Sequence, residues 1–381
     1  MSPPGDRIPF LAPELPPLED VARDLASIYA SGVFSNGGPF ERRLADRLTE
    51  YLGATACVPV ANGTLGLMLA ARALARPDAP RRVLLPSFTF PASALAMEWA
   101  GLEPVFCDVD PESWQPTLDP DLLRRHADEL ALVLLCNTFG APSDAAFWRE
   151  AAEGCGLPIL VDSASGLGGR YTDGRRLGGA GLVEVFSMHA TKTFGVGEGG
   201  VVAVPDAALA ARLARLRNFG LDGPPRGGRE ASPECVDDGL NAKLPEVLAA
   251  IACRALDRHE DVLAARRRVA DAYRARLEPH GFRFQKHGDL SPWQCVSVCV
   301  PAGVDRDALR ARLFERGIET RRYFAPPLHR QARWAGRRVL GELDTTETVA
   351  RRILSLPTGN ALSEARVDRV CREILGRGDG A

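Results

Sequence analysis

The sequence predicts an α/β fold: a mostly parallel central sheet flanked by helices, followed by a smaller C-terminal α+β domain. Three observations predict it. Between residues 55 and 217, short apolar runs alternate with segments rich in Ala, Leu and Arg, the pattern of strands joined by crossover helices. The stretch 245–277 is rich in Ala, Leu, Arg and Glu and carries apolar residues at helical spacing. After Pro279, strand-like and helix-like segments resume on a smaller scale. A chain of 381 residues accommodates one large domain and a smaller one. Residues 1–250 are expected to form the large domain, with an N-terminal arm over 1–40, and residues 251–381 a linking helix and the small domain.

In chain order, the runs 56–61, 82–85, 104–109, 131–136, 157–161 and 183–187 read as strands, with helices over 65–75 and 91–100 between them. A glycine-rich stretch then leads into a further strand at 201–204. Val269, Tyr273 and Leu277 mark 245–277 as one long helix, or two joined end to end, connecting the domains. Beyond it come a strand over 293–300, a helix over 306–316, a Pro-rich loop at 325–329 and a final helix over 363–375. There are no internal repeats and no low-complexity tract.

Composition removes several classes of function. With 45% hydrophobic and 25% charged residues, 37 Gly and 29 Pro, the chain has neither the disordered nor the collagen signature. A formal charge of −2 gives no global reason to expect nucleic acid or anionic membrane as a partner. No basic segment followed by an apolar stretch opens the chain, and no run approaches the roughly 18 apolar residues that span a bilayer. The nine cysteines are odd in number and scattered, and the closest pair, Cys295 and Cys299, lacks the two-residue spacing of zinc or dithiol motifs. They read as reduced thiols of a cytoplasmic protein, and no metal site is expected.

Only three of the 47 cationic residues are lysines, Lys192, Lys243 and Lys286, leaving 44 arginines. An excess of arginine points to a GC-rich genome and a specialised-metabolite producer. A guanidinium stays protonated, whereas a lysine amine can lose its proton and attack a carbonyl. Each lysine therefore draws attention to its surroundings.

Ligands of an open α/β sheet gather beyond the carboxyl ends of the strands, so the residues just after each apolar run are the candidates for a site. Asn62-Gly63-Thr64 before a helix either aims backbone N–H groups at a phosphate or is an ordinary turn with Thr64 as N-cap. Pro86-Ser87-Phe88-Thr89-Phe90-Pro91 offers two aromatics, as core or as a stacking face for a heterocycle. Asp162 ends an apolar run and needs a partner to offset its desolvation, either a cationic ring nitrogen or a helix or turn N–H. The most specific segment is Ser187-Met188-His189-Ala190-Thr191-Lys192-Thr193-Phe194-Gly195-Val196-Gly197-Glu198-Gly199-Gly200. Its lysine comes after a strand, hydroxyls flank it, and its glycines allow backbone to approach a ligand closely. Those glycines lack the G-x-G-x-x-G spacing and precede a strand, which argues against nicotinamide or flavin binding. An anion cradle, a stacking aromatic, a semi-buried acid and a lysine together describe a site for pyridoxal 5′-phosphate (PLP).

These segments, with Phe34-Ser35-Asn36-Gly37-Gly38-Pro39-Phe40-Glu41, which looks like the family's early loop, Val161-Asp162-Ser163-Ala164-Ser165 and Gly239-Leu240-Asn241-Ala242-Lys243, resemble nearly end to end the DegT/StrS family of PLP-dependent sugar aminotransferases. The resemblance implies the PLP-dependent transferase (aspartate aminotransferase, type I) fold, with a large PLP-binding domain. It implies that Lys192 bonds covalently to the cofactor and later moves the substrate proton, that Asp162 pairs with the pyridinium, and that Phe90 stacks on the ring. Gly63, Thr64 and Ser187 would hold the phosphate, Ser165 would lie near the phenolic oxygen, and Asn241 would reach a phosphate in the neighbouring subunit of a homodimer whose active sites lie at the interface. Phe34, His189 and His329 are substrate candidates, His329 equally a loop histidine; Lys243 contacts substrate or phosphate, or is simply solvated.

Ser165 stands where the family usually carries His or Gln, Arg217-Asn218-Phe219-Gly220 where it has Arg-Asn-His-Gly, and Lys243 where it has Arg. Relatives that remove a sugar hydroxyl instead replace the covalent lysine with histidine, and Lys192 argues against that branch. The implied activity is amino transfer from an amino acid, glutamate by analogy, to a ketosugar, nucleotide-linked, in amino-sugar or antibiotic biosynthesis. The alternatives are another PLP reaction on the same scaffold, a sugar dehydratase or a keto-cyclitol aminotransferase, and a catalytically silent PLP-binding regulator.

Overall fold

Helical structure begins inside the expected arm. The computed structural model describes residues 7–222 and 233–377, so the first six residues of the arm fall outside the described residues. Two helices come first, α1 (Leu18–Ser31) and α2 (Pro39–Leu52). In α2 a proline occupies the first turn, where its missing N–H costs nothing, and Phe40, Leu44, Leu48 and Leu52 bury one face at four-residue spacing. The early loop is therefore short, ending at Gly38, and both Phe40 N–H and Glu41 N–H donate to the buried Glu246 carboxylate, at 2.9 and 2.8 Å.

The expected alternation comes next: β1 (Ala56–Val60), α3 (Gly63–Leu74), β2 (Arg82–Pro86), α4 (Pro91–Trp99), β3 (Glu103–Cys107), α5 (Pro120–His126), β4 (Leu132–Cys136), α6 (Ala145–Glu153), β5 (Ile159–Asp162), β6 (Val183–Ser187), β7 (Gly200–Val204) and α7 (Ala207–Leu216). The seven strands pair in the order β1-β7-β6-β5-β4-β2-β3. β2 to β6 run parallel to one another, and β7 lies antiparallel between β1 and β6. Burial on both faces explains the near-continuous apolar runs such as Leu132–Cys136, and the parallel direction brings the strand ends together at one edge.

The stretch expected as one or two helices is two, α8 (Glu246–Asp257) and α9 (His259–Leu277), separated at Arg258. The break lets each helix serve a different core. α8 inserts Ala249, Ala250, Ala252 and Cys253 against the large sheet, and the position between 250 and 251 lies inside it. α9 turns Val269, Tyr273 and Leu277 into the core of a second layer. That layer comprises β8 (Arg283–Phe284), β9 (Val296–Cys299), α10 (Arg306–Glu315), α11 (Asp344–Arg352), β10 (Ile353–Leu356) and α12 (Glu364–Ile374), its strands forming an antiparallel sheet in the order β10-β9-β8. The arm crosses to this layer, where Ile8 is buried and pairs with Ile318. All nine cysteines are free thiols, and among the described residues no helix is long and apolar enough to cross a membrane.

His259, at the start of α9, ties the second layer to the loop after β5. Its ring is buried, and Nε2 lies 3.2 Å from the Leu167 carbonyl, so Nε2–H is the donor. Burial pushes its pKa down to about 4, so the folded protein holds it neutral. The unfolded imidazole titrates near its ordinary value, about 6.5, and binds a proton that the folded state refuses between those limits. Stability should therefore fall as pH drops from about 6.5 to 4 and the His259 contribution should level off below, a loss on the order of 3 kcal/mol. Denaturant titrations across this range check it: His259→Gln, which keeps a donor for Leu167, should show a shallower decline than the native chain.

Candidate active site

A cavity of about 700 Å³ opens where the strand ends of the large sheet meet the second layer. Asn62, Gly63 and Thr64 reach it from β1, Thr89 and Phe90 from β2, Asn137 from β4, Asp162 and Ser165 from β5, and Ser187, His189, Thr191 and Lys192 from β6. Gln294, Cys295, Tyr323 and Phe324 close it from the other side.

Lys192 and Asp162 face this common space. The Lys192 Nζ donates to Ser165 Oγ at 3.0 Å and to Gln294 Oε1 at 3.2 Å, both neutral acceptors. Burial lowers its pKa, opposed by the charges of Asp162 and Cys295, so the amine sheds its proton more readily than an exposed lysine. Asp162 accepts from Ser93 Oγ at 2.7 Å through Oδ2 and from the Ala164 N–H at 3.0 Å through Oδ1. Burial raises its pKa, and the hydrogen bonds from Ser93 and Ala164 and the charge of Lys192 offset that only in part. Here the carboxylate has neutral donors fixing its orientation and lacks a hydrogen-bonded cation, the condition in which a cationic ring nitrogen would be held most strongly.

The anion cradle is built differently from the turn expected. Asn62, not Thr64, is the N-cap of α3: its Oδ1 accepts from the Leu65 N–H at 2.9 Å, and the helix starts at Gly63. The amides of Gly63 and Thr64 thus belong to the first turn, whose N–H groups have no acceptor within the helix and face the cavity with the positive end of its dipole. A Cβ on Gly63 would sit 3.1 Å from Ser187 Cβ, so glycine lets the two halves of the cradle approach. Gly200 serves a backbone contact rather than a ligand, since a Cβ there would lie 2.7 Å from the Gly63 nitrogen.

The two aromatics after β2 divide. Phe88 is fully buried, edge-on to Phe139 and Phe324, while Phe90 is 54% exposed and lines the cavity. His189 also lines it: Nδ1 accepts from the Thr191 N–H at 3.2 Å, which leaves Nε2, 3.8 Å from Glu198, to carry the proton.

Gly63, Thr64, Phe90, Asp162, Ser165, Ser187, His189 and Lys192 all line this one cavity, whereas Phe34, Asn241 and His329 do not. His329 is neither against the cavity nor a free loop histidine. Its ring bridges Ser87 Oγ at 2.7 Å and Glu347 Oε1 at 2.8 Å, pinning the Pro-rich loop that directly follows Tyr323 and Phe324. Asn241 is exposed, and Phe34 is 44% exposed with its ring edge-on to Tyr29 at 5.3 Å. Of the departures from the family pattern, Phe219 (φ +62) lies under Lys243, whose Nζ is 4.5 Å from the ring centroid and donates to Asn218 Oδ1 at 2.9 Å. Lys243 is thus paired rather than simply solvated.

Ser93 and Gln294, which hold Asp162 and Lys192, are not among the site residues expected from the sequence, and neither are Asn137, Cys295, Tyr323 and Phe324 of the lining. The signal for Ser93 and Gln294 is a polar residue inside a mostly apolar segment, 91–100 and 293–300 respectively.

Residues 18–375 match the family model of the DegT/DnrJ/EryC1/StrS aminotransferase family. The chain belongs to this family. Among its DegT/StrS relatives is Protein Rv3402c of Mycobacterium tuberculosis, 37% identical over 376 residues that cover 97% of this chain and 89% of that protein. Another is the dTDP-3-amino-3,4,6-trideoxy-alpha-D-glucose transaminase of Streptomyces venezuelae, 33% identical over 96% of this chain and 94% of that enzyme. The crystal structure of DesI in the presence of its TDP-sugar product superposes with a TM-score of 0.86 at 34% identity, covering 98% of this chain and 94% of that one. The DegT/StrS membership and these likenesses make the chain an aminotransferase of the PLP-dependent fold type.

Proposed function

We propose that this chain binds pyridoxal 5′-phosphate and transfers an amino group from an amino acid, glutamate by family analogy, to the ketone of a nucleotide-linked sugar. The observation that carries the reading is a deprotonation-prone Lys192 amine and an unneutralised Asp162 carboxylate lining one cavity beside the α3 N-terminus. The donor set fits the cofactor. The α3 amides, Thr64 and Ser187 match a phosphate, Phe90 offers a face to a flat ring, Asp162 matches a pyridinium, and Lys192 supplies an amine for an aldehyde.

When bound, PLP supplies an aldehyde that carries the amino group and a ring that withdraws electrons. Asp162, oriented by Ser93 and Ala164, keeps the ring nitrogen protonated. With its amine free, Lys192 would take the proton from the donor's α carbon and, in the reverse course, would deliver a proton to the carbon that was the acceptor's ketone. The polar strand-end loops orient the reacting groups, and Phe139, Tyr323 and Phe324 shield them from water on the other side.

The nucleotide-sugar acceptor is supported by the activities for which relatives are named, the dTDP-sugar transaminase and the GDP-perosamine synthase of Escherichia coli O157:H7. The same reading includes a homodimer with its sites at the interface and Asn241 directed to the neighbour's phosphate. Support comes from Asn241 lying exposed and outside its own chain's cavity. It also includes the division into a PLP-binding part, residues 1–250, and a linking helix with small domain, residues 251–381.

Purified protein reconstituted with PLP and given glutamate should shift the cofactor's absorbance and release 2-oxoglutarate. A panel of nucleotide-linked ketosugars and free keto-cyclitols should then restore the first spectrum with the nucleotide-linked compounds alone. Restoration by keto-cyclitols only would replace the acceptor class, and no shift with any amino acid would refute amino transfer.

A further inference from the structure

The Lys192 amine has two hydrogen-bond partners from opposite sides of the cavity. Ser165 comes from the loop after β5, and Gln294, 102 residues beyond Lys192, from the segment leading into β9. Three features fix Gln294. Its carbonyl accepts from Arg266 Nη1 at 3.1 Å, a buried guanidinium on α9 that is itself held by Asn360 Oδ1 at 2.9 Å. Trp293, immediately before it, is buried in the left-handed region at φ +54, a backbone conformation that a bulky residue adopts only where its surroundings impose it. Cys295, immediately after it, is buried.

We propose that Gln294 is a positioning residue for Lys192, setting the direction of its amine from the second layer while Ser165 sets it from the large sheet. A neutral amine has two N–H groups and one lone pair. With both N–H groups donated to Ser165 Oγ and Gln294 Oε1, rotation about the Cε–Nζ bond is fixed and the lone pair takes the remaining tetrahedral direction. One neutral acceptor would leave the amine free to rotate, and a carboxylate in place of the amide would hold a proton on it. The groups that act on this amine by charge are Asp162 from β5 and Cys295 from the second layer, and Gln294 adds direction without adding charge. The inference rests on Lys192 being the reactive amine of the proposed function.

The test exploits the scarcity of lysine. The full-length chain, freed of any bound aldehyde with hydroxylamine, is reductively methylated with isotopic formaldehyde. Labelling of Lys192 is then read by peptide mass spectrometry against the exposed Lys286. At a fixed pH below the labelling midpoint, Gln294→Glu should reduce Lys192 labelling about tenfold, because a carboxylate stabilises the ammonium form. Gln294→Leu should raise it roughly threefold, because an acceptor that favours the ammonium form is gone. Opposite responses support the proposal. Labelling unchanged in both variants, or moved in the same sense in both, overturns it. Opposite responses in a chain that captures no PLP would retain the positioning role and discard the cofactor reading, so the two failures are distinguishable.

Discussion

Replacement of Lys192 with alanine should abolish amino transfer, a loss of at least about 10⁴-fold in kcat, while the fold survives. Two roles fall together in this variant: the covalent attachment point and the group that moves the substrate proton. Its side chain opens onto the cavity and makes two hydrogen bonds, to Ser165 and Gln294, so truncation leaves polar partners that water can satisfy. Unchanged thermal unfolding beside lost turnover, measured with glutamate and the acceptor identified in the panel, is the expected pair of results. Retention of even a tenth of native turnover would assign proton transfer elsewhere, and neither Lys243, held on Phe219, nor Lys286, paired with Glu112, lines the cavity to supply it.

Asp162→Asn should retain cofactor and lose about 10²–10³-fold in kcat. The amide is isosteric and can still accept the hydrogen bonds from Ser93 and Ala164 through its single oxygen only in part, so some local loosening accompanies the change. The larger effect is electrostatic. A carboxylate with no hydrogen-bonded cation beside it stabilises a protonated ring nitrogen in a site shielded from water, and an amide does not. Comparison with Ser93→Ala separates the parts: loss of the orienting hydroxyl should cost far less than loss of the charge. If Asp162→Asn matched the native enzyme in turnover, the ring would not depend on this acid.

The parts of the site legible in the sequence are those whose signal is local. Asp162 ends an apolar run, Lys192 comes after a strand in a chain nearly without lysine, and both positions hold in the fold because parallel strands β5 and β6 end side by side, Asp162 opposite Val185. Thr64 is the cap expected from the sequence, but Asn62 is the stronger capping type, and the geometry of the first α3 turn shows that it caps the helix. The regular spacing of Phe40, Leu44, Leu48 and Leu52 marks α2 as a helix, yet the resemblance of 34–41 to a loop and the arm expected over 1–40 obscure its start. Gln294 and Ser93 leave only a faint local mark, a polar residue in a mostly apolar segment, because their importance comes from partners 102 and 69 residues away that folding brings close. The same holds for His329, whose ring is committed to Ser87, 242 residues distant, rather than to the cavity.

The most direct measurement is chemical trapping: incubation of the full chain with PLP, reduction with borohydride, digestion, and mass spectrometry of the peptides that carry the three lysines. The phosphopyridoxyl adduct should fall on the peptide containing Lys192, in one equivalent per chain, and vanish in Lys192→Ala. Stoichiometric adduct on Lys243 or Lys286, or none on any peptide under saturating cofactor, would contradict the assignment of Lys192 as the cofactor's anchor.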